Sequence, residues 1–179
     1  MAETTIPTEA TVTATEVVLP GKVEPSGLQL VQRSLPAPAA GQALVRVEST
    51  AVSFAESAMR RGRYYGQPAF PFVPGYDLVG VVEAVGPGVD HALLGRWVAA
   101  LTKTGDWATA VLLAAADLVE VPDGISADEA ETLIVNGLTA YQMLHHSAKG
   151  ASRADRARAG PAAAWARSWC NSPGTRASA

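Results

Sequence analysis

Leu144 is the last large aliphatic residue of the chain: beyond it there is no Val, Ile, Leu, Met, Phe or Tyr. A core is assembled from such side chains, each contributing about 1.5–3 kcal/mol when fully buried. The large aliphatic side chains of this 179-residue chain therefore all precede position 145. The remainder, "GASRADRARAGPAAAWARSWCNSPGTRASA", is rich in Ala, Arg, Gly and Pro and has no strand or helix period. It is expected to be disordered, or to form at most a short Ala/Arg helix.

Before that limit the chain is punctuated by Pro and Gly into short apolar runs. "TEVVLPG", "LQLVQRSLP" and "QALVRVEST" are β-branched or alternating, as a half-buried antiparallel sheet requires. "FAESAMRRG" (54–62) reads as a helical turn or two closed by glycine, and "PAFPFVPGYD" as a shaped loop too proline-rich for helix or central strand. "LVGVVEAVGPGV", "GRWVAAL", "DWATAVLLA" and "DLVEVPDG" supply four more strands at close spacing, which argues for a barrel or sandwich. At Ser126 the period changes. "SADEAETLIVNGLTAYQMLHH" opens on an N-cap serine with Glu129 three positions on, and predicts one or two buried helices with a break near Gly137. The expected organisation is a disordered lead-in over 1–15, a β domain over 16–125, helices over 126–149 and the tail over 150–179.

Composition narrows the function. Hydrophobic residues at 48% and charged residues at 17% fit a globular protein, and a net charge of -3 gives no electrostatic footprint for nucleic acid or an anionic membrane. The one cysteine, Cys170, can form neither an internal disulfide nor a cysteine metal cluster. No apolar run approaches the roughly 20 residues that span a bilayer. The opening "MAETTIPTEATVTATE" lacks the basic and apolar segments of a secretory signal, so a cytoplasmic location is expected.

The string "VRVESTAVSFAESAMRRGRYYGQPAFPFVPGYDLVGVVEAVGPGV", followed by "ADLVEVPDGISADEAETLIVNGLTAYQML", resembles the GroES-like catalytic domain of the medium-chain dehydrogenase/reductase superfamily. Within it, the zinc-independent quinone oxidoreductases, the zeta-crystallin-like branch, are the most similar. The resemblance covers roughly residues 16–149 and rests on several separated blocks in family order. It implies a mainly β, partly open barrel with a few helices. It also implies NAD(P)H-dependent reduction of quinones, enones or related planar carbonyls.

Zinc-dependent relatives bind a metal through cysteine, histidine and acidic ligands. At the matching places this chain has Ser53 for the cysteine, Tyr76 and Asp77 in the "PGHE"-like motif, and Val135-Asn136-Gly137 without a thiol. A hydroxyl, a phenol and one carboxylate are not the nitrogen and sulfur donors that zinc prefers. No metal is expected.

The resemblance also implies candidate site residues. Tyr64 matches a substrate-cleft tyrosine whose hydroxyl could orient a quinone oxygen; otherwise it is a loop tyrosine covering the barrel end. Ser53 stands where quinone oxidoreductases often have asparagine, which shortens the reach of a catalytic donor. Phe54 either touches cofactor or, the favoured alternative, packs in the core. Thr139, in "GLTAY", matches a residue near the nicotinamide or else caps a helix start. Asp77 is a carboxylate behind the site or a turn-stabilising residue after Gly75. His91, His145 and His146 are expected at the surface or at helix ends.

The cofactor, NADPH or NADH, raises a difficulty. In the family the chain continues into a strand, a glycine-rich turn and a helix that hold the pyrophosphate, and no G-x-G-x-x-G-like turn follows here. Joining each codon's third base to the first two of the next, with GC-rich choices, re-reads "GPAAAWARSWCNSPGTR" as A-G-G-G-V-G-S-L-V-V-Q-L-A-R-H-A-G. That string resembles the family's nucleotide-binding turn. The expectation is a Rossmann domain lost by truncation or frameshift, no dinucleotide binding by this chain, and exposed apolar surface on Leu133, Ile134, Leu138 and Tyr141. The alternative is a non-enzymatic GroES-like domain serving as a binding or interaction module. Substrate identity and oligomeric state are not legible.

Overall fold

The alternating runs form the strands that their spacing predicts. The computed structural model describes residues 11–147, with side chains to 145. Residues 1–10 of the lead-in, and the tail from 148 with its shifted-frame reading, lie outside the described residues. The chain divides into two units, Met1–Glu131 and Thr132–Ala179.

In the first unit, β1 (Val12–Val18) and β2 (Gln29–Leu35) form an antiparallel ribbon. Five further strands form an open antiparallel sheet: β3 (Gln42–Thr50), β4 (Asp77–Val85), β5 (Trp97–Leu101), β6 (Ala110–Ala114) and β7 (Val119–Glu120), in the order β6-β3-β4-β5-β7. β1 begins at Val12, inside the lead-in expected to be disordered to Thr15. Its threonines lack aliphatic bulk, but the backbone from Val12 pairs with Leu35 and Ala14 is fully buried, which orders the segment.

Consecutive side chains of β3 serve two cores, as strand periodicity requires. Val45 packs with Ala43, Leu78, Val82, Val98 and Ala100, while Leu44 packs with Ala14, Leu35 and Ala110, where the ribbon meets the sheet. Register shifts in the β3–β4 pairing at Leu44/Val45 and Val47/Ser49 supply the bulges that bend a flat sheet towards a barrel. Gly80 is required at this closest approach, because a Cβ there would sit 2.3 Å from the Arg46 carbonyl oxygen. The ribbon is tied to the sheet by Val17 N–H to the Trp107 carbonyl (2.8 Å) and Thr109 N–H to the Thr15 carbonyl (3.0 Å).

Helix α1 (Phe54–Arg60) follows β3 and ends where Gly62 adopts a φ of 63° and donates its N–H to the Met59 carbonyl. The loop between α1 and β4 is irregular and includes a cis peptide bond between Phe70 and Pro71.

Helix α2 (Ala127–Thr132) opens with the expected box: Glu129 accepts from both the Ser126 amide and hydroxyl, and its own amide donates to Ser126 Oγ. In the second unit a π-helical turn over Leu133–Gly137 leads into α3 (Leu138–Gln142) and a second π-helical turn over Met143–Ser147. Gly137 does not break the helix. Its φ and ψ of -64° and -47° are helical, and the wider π turn accommodates it, where a Cβ would approach Leu133 Cδ2 at 3.1 Å. Nor are these helices buried as the apolar pattern suggested: Leu138 and Tyr141 are exposed, and Leu133 and Ile134 are half-buried.

Candidate active site

One end of β4 is built around a turn that only glycine permits. Gly75 has a φ of 105°, and a Cβ there would lie 2.7 Å from the Trp107 amide nitrogen. The 102–107 loop grips this turn: Trp107 N–H donates to the Pro74 carbonyl (3.0 Å) and Thr102 N–H to the Tyr76 carbonyl (2.7 Å). The turn delivers Tyr76 and Asp77 side by side into the first unit. Trp107 adds a bond from Nε1 to the Ala51 carbonyl (2.8 Å), fixing the approach to α1.

The Tyr76 and Tyr64 hydroxyls share a hydrogen bond at 2.6 Å, the two half-buried rings meeting edge to face with centroids 6.0 Å apart. Burial, followed by the bond to Tyr64 and the charge of Glu56, pushes the Tyr76 hydroxyl up to about 12. It therefore stays protonated at neutral pH. One bond between two phenols uses one of their two protons, so the pair keeps a second hydroxyl proton with no protein acceptor among the described residues.

Ser53 is the N-cap of α1. Its amide and hydroxyl both donate to Glu56 Oε2, at 2.8 and 2.5 Å, and its Oγ accepts from the Ala55 amide at 3.1 Å. The hydroxyl is thus occupied within the cap, and Ser53 acts on the site through Glu56. Phe54 is corrected from its core assignment. It is 83% exposed, because the α1 face that turns inward carries Glu56, Ala58 and Met59 instead. Thr139 lies exposed on α3 in the second unit, and does not cap a helix start, because the backbone at Gly137 and Leu138 is already helical.

Four buried carboxylates line this end of the first unit: Glu56, Asp77, Asp106 and Glu131. Asp106 accepts from Thr102 Oγ1 at 2.5 Å, yet burial, with the charges of Asp77 and Glu56, pushes its carboxyl up to about 6. Glu131 is pushed up to about 7 by burial and then by Asp77, with which it shares a hydrogen bond. The pair is therefore held together by a proton. Glu56 Oε1 and Glu131 Oε1 are buried without a hydrogen-bond partner, which costs free energy. Asp77 is one of this coupled set, rather than a turn residue only.

Sequence reasoning missed Glu56, Asp106, Glu131 and Trp107. Glu56 alone had a local signal, since Ser53-x-x-Glu56 repeats the capping-box spacing of Ser126-x-x-Glu129. Beside the cluster, an apolar cavity of about 690 Å³ lies between the ribbon and α1, lined by Val17, Leu19, Val52 and Trp107 and reached by Glu56. Ser53, Phe54 and Tyr64 are not among its lining residues.

The resemblance implies a nicotinamide cofactor and, in this branch, no metal. Among the described residues, no three His, Cys, Asp or Glu side chains are placed to hold a metal ion. A dinucleotide pyrophosphate needs free amides at a helix N-terminus. The first turns of α1 and α2 are instead closed by the chain's own carboxylates, Glu56 and Glu129. All strand pairings among the described residues are antiparallel, so no parallel βα turn is present there either. No described helix is long and apolar enough to cross a membrane.

Residues 39–123 match the alcohol dehydrogenase GroES-like domain family. The synaptic vesicle membrane protein VAT-1 homolog of Danio rerio is 37% identical over 139 residues, 77% of this chain and 29% of that protein. The quinone oxidoreductase of Rattus norvegicus is 34% identical over 127 residues, 70% of this chain and 36% of that protein. The chain thus spans about a third of the curated relatives it matches. Among solved structures, the quinone oxidoreductase of Thermus thermophilus, studied also in complex with NADPH, superposes with a TM-score of 0.61 at 36% identity, over 76% of this chain and 41% of that one. With this sheet, these matching blocks and these relatives, the chain belongs to the medium-chain dehydrogenase/reductase superfamily, of which it carries the N-terminal GroES-like domain.

Proposed function

We propose that this chain supplies the substrate side of a zinc-independent, NAD(P)H-dependent reductase of quinones, enones or related planar carbonyls. On this reading the polypeptide is inactive alone, as the carboxylates that close the starts of α1 and α2 among its described residues suggest. The observation that carries the substrate side is the half-buried Tyr64–Tyr76 hydroxyl pair, whose one shared bond leaves a phenolic proton uncommitted among the described residues. Such a donor suits a carbonyl oxygen, while the ring covers a flat substrate. Exposed Phe54 suits a cofactor-facing wall, and Thr139 a nicotinamide neighbour, by likeness to the relatives. Ser53 supports the site indirectly, by fixing Glu56 and the start of α1. A cytoplasmic protein with no nucleic-acid partner completes the proposal.

A second reading, a non-enzymatic binding module, is favoured by the carboxylates that close α1 and α2. Binding of 2,3-dimethyl-1,4-naphthoquinone by equilibrium dialysis tests the substrate side. The methyl groups block addition of Cys170 to the quinone ring. Saturable binding that weakens roughly three- to tenfold in Tyr64→Phe, the loss of one hydrogen bond, is expected. Affinity unchanged in Tyr64→Phe would overturn the proposal.

A further inference from the structure

We propose that the apolar cavity between the β1–β2 ribbon and α1 binds a monomeric amphipathic carboxylate, with the apolar body inside the cavity and the anionic head on a basic hollow that adjoins it at the C-terminal end of α1. The proposal is independent of the Tyr64 site, because Tyr64 lines neither space. The cavity, of about 690 Å³, is walled by Val17, Leu19, Leu28, Leu30, Val52 and Trp107. That volume is in the range of small-molecule sites, and water in so apolar a space finds few partners. The hollow beside it, of about 490 Å³, is lined by Lys22, Arg60, Arg61 and Arg63, with Glu24 as its one carboxylate. Four cations therefore meet one anion in a chain whose net charge is -3, so the clustering is local rather than a property of the whole surface. Arg60 lines both spaces. Its Nη1 donates to the Val23 carbonyl and lies 3.3 Å from Glu24 Oε2, which fixes the guanidinium at the junction. Lys22, Arg61 and Arg63 form no ion pair among the described residues. Gly62 brings them together: its φ of 63° turns the chain between the two arginines, and a Cβ there would collide with the Lys22 side chain. Nor are the cations taken up in capping α1, since the carbonyls of Ala58 and Met59 near its end accept from the amides of Arg61, Gly62 and Arg63. Guanidinium groups pair with a carboxylate through two parallel bonds, so an anion is the matched head. Glu56 also reaches the cavity, and its carboxyl group disfavours a second carboxylate nearby. The head is thereby placed at Arg60 and the body among the apolar side chains.

The experiment measures, by isothermal titration calorimetry on the full chain, the affinities of dodecanoate and dodecyltrimethylammonium below their micelle concentrations. The two share an apolar chain and differ in the sign of the head. Dodecanoate is expected to bind saturably at one site, roughly tenfold more tightly than the cation, with a preference that shrinks as NaCl is raised. Lys22→Ala/Arg63→Ala removes two exposed cations and should lower dodecanoate affinity roughly three- to tenfold, the effect of two exposed ion pairs. Lys103→Ala, which removes a cation outside both spaces, should leave it unchanged. Leu30→Asp places a carboxylate on the cavity wall at a position 76% exposed, where the fold tolerates it, and should lower dodecanoate affinity at least as much. Arg60 is left in place because it holds the Val23 carbonyl, and circular dichroism checks the fold of each variant. No dodecanoate binding in the wild type, equal affinity for the two heads, or a preference insensitive to salt overturns the proposal. So does an affinity unchanged in Lys22→Ala/Arg63→Ala, or lowered as much in Lys103→Ala. Affinity unchanged in Leu30→Asp overturns it as well, because the head would then bind without the cavity.

Discussion

Strand β4 passes through two regions of opposite character. Leu78 and Val82 lie in an apolar cluster with Ala43, Val45, Val98 and Ala100, where burial alone accounts for cohesion. One residue earlier, Asp77 is equally buried but belongs to a set with Glu56, Asp106 and Glu131, and at Asp106 and Glu131 burial opposes the charged form. The difference teaches how the fold divides its labour. The sheet centre stabilises the domain, and the end that carries Tyr64 and Tyr76 holds polar groups in place despite their cost. Functional sites commonly show such perturbed groups.

The largest expected effect breaks the apolar side. Leu78→Ala removes a fully buried side chain and should cost about 2–5 kcal/mol, read from urea unfolding. Ser53→Ala acts on the polar side and should cost about 1–3 kcal/mol, by removing the α1 cap and one donor to the buried Glu56. A loss as large as that of Leu78→Ala would erase the distinction between the regions.

The pH dependence sharpens it. Asp106 and Glu131 have folded values raised from 3.8 to about 6 and from 4.5 to about 7. The folded state therefore holds protons that the unfolded chain releases. Their contribution is fully present below about pH 4 and is lost as pH rises through about 6 and then 7. Glu131→Gln should flatten the upper part of that decline in unfolding measured between pH 4.5 and 7. A decline of unchanged slope would remove Glu131 from the coupled set. The smallest effect is that of Phe54→Ala. At 83% exposure it should change stability by no more than about 0.5 kcal/mol, and a loss comparable to that of Leu78→Ala would restore the core assignment.

The same division explains what was legible in the sequence. Alternation in "QALVRVEST" and "LVGVVEAV" revealed β3 and β4 because strand burial has a period of two. β1 was under-read at its start, since Ala14 and its threonine neighbours are ordered by pairing with β2, a partner that local composition does not reveal. Phe54 misled because an aromatic beside apolar neighbours looks like core, whereas helix geometry turned it outward. The carboxylate set is drawn from positions 56, 77, 106 and 131, and nothing local links residues so far apart. Tyr64 is singled out by resemblance alone, and its bond to Tyr76 depends on the turn at Gly75 and on a loop held by Trp107.

The central proposal is that this chain presents the substrate side of the family's site without holding its dinucleotide. Titration of the purified chain with NADPH and NADH, followed by cofactor fluorescence, tests this most directly. No saturable binding of either is predicted; saturable binding would contradict the account and return a complete cofactor site to this polypeptide.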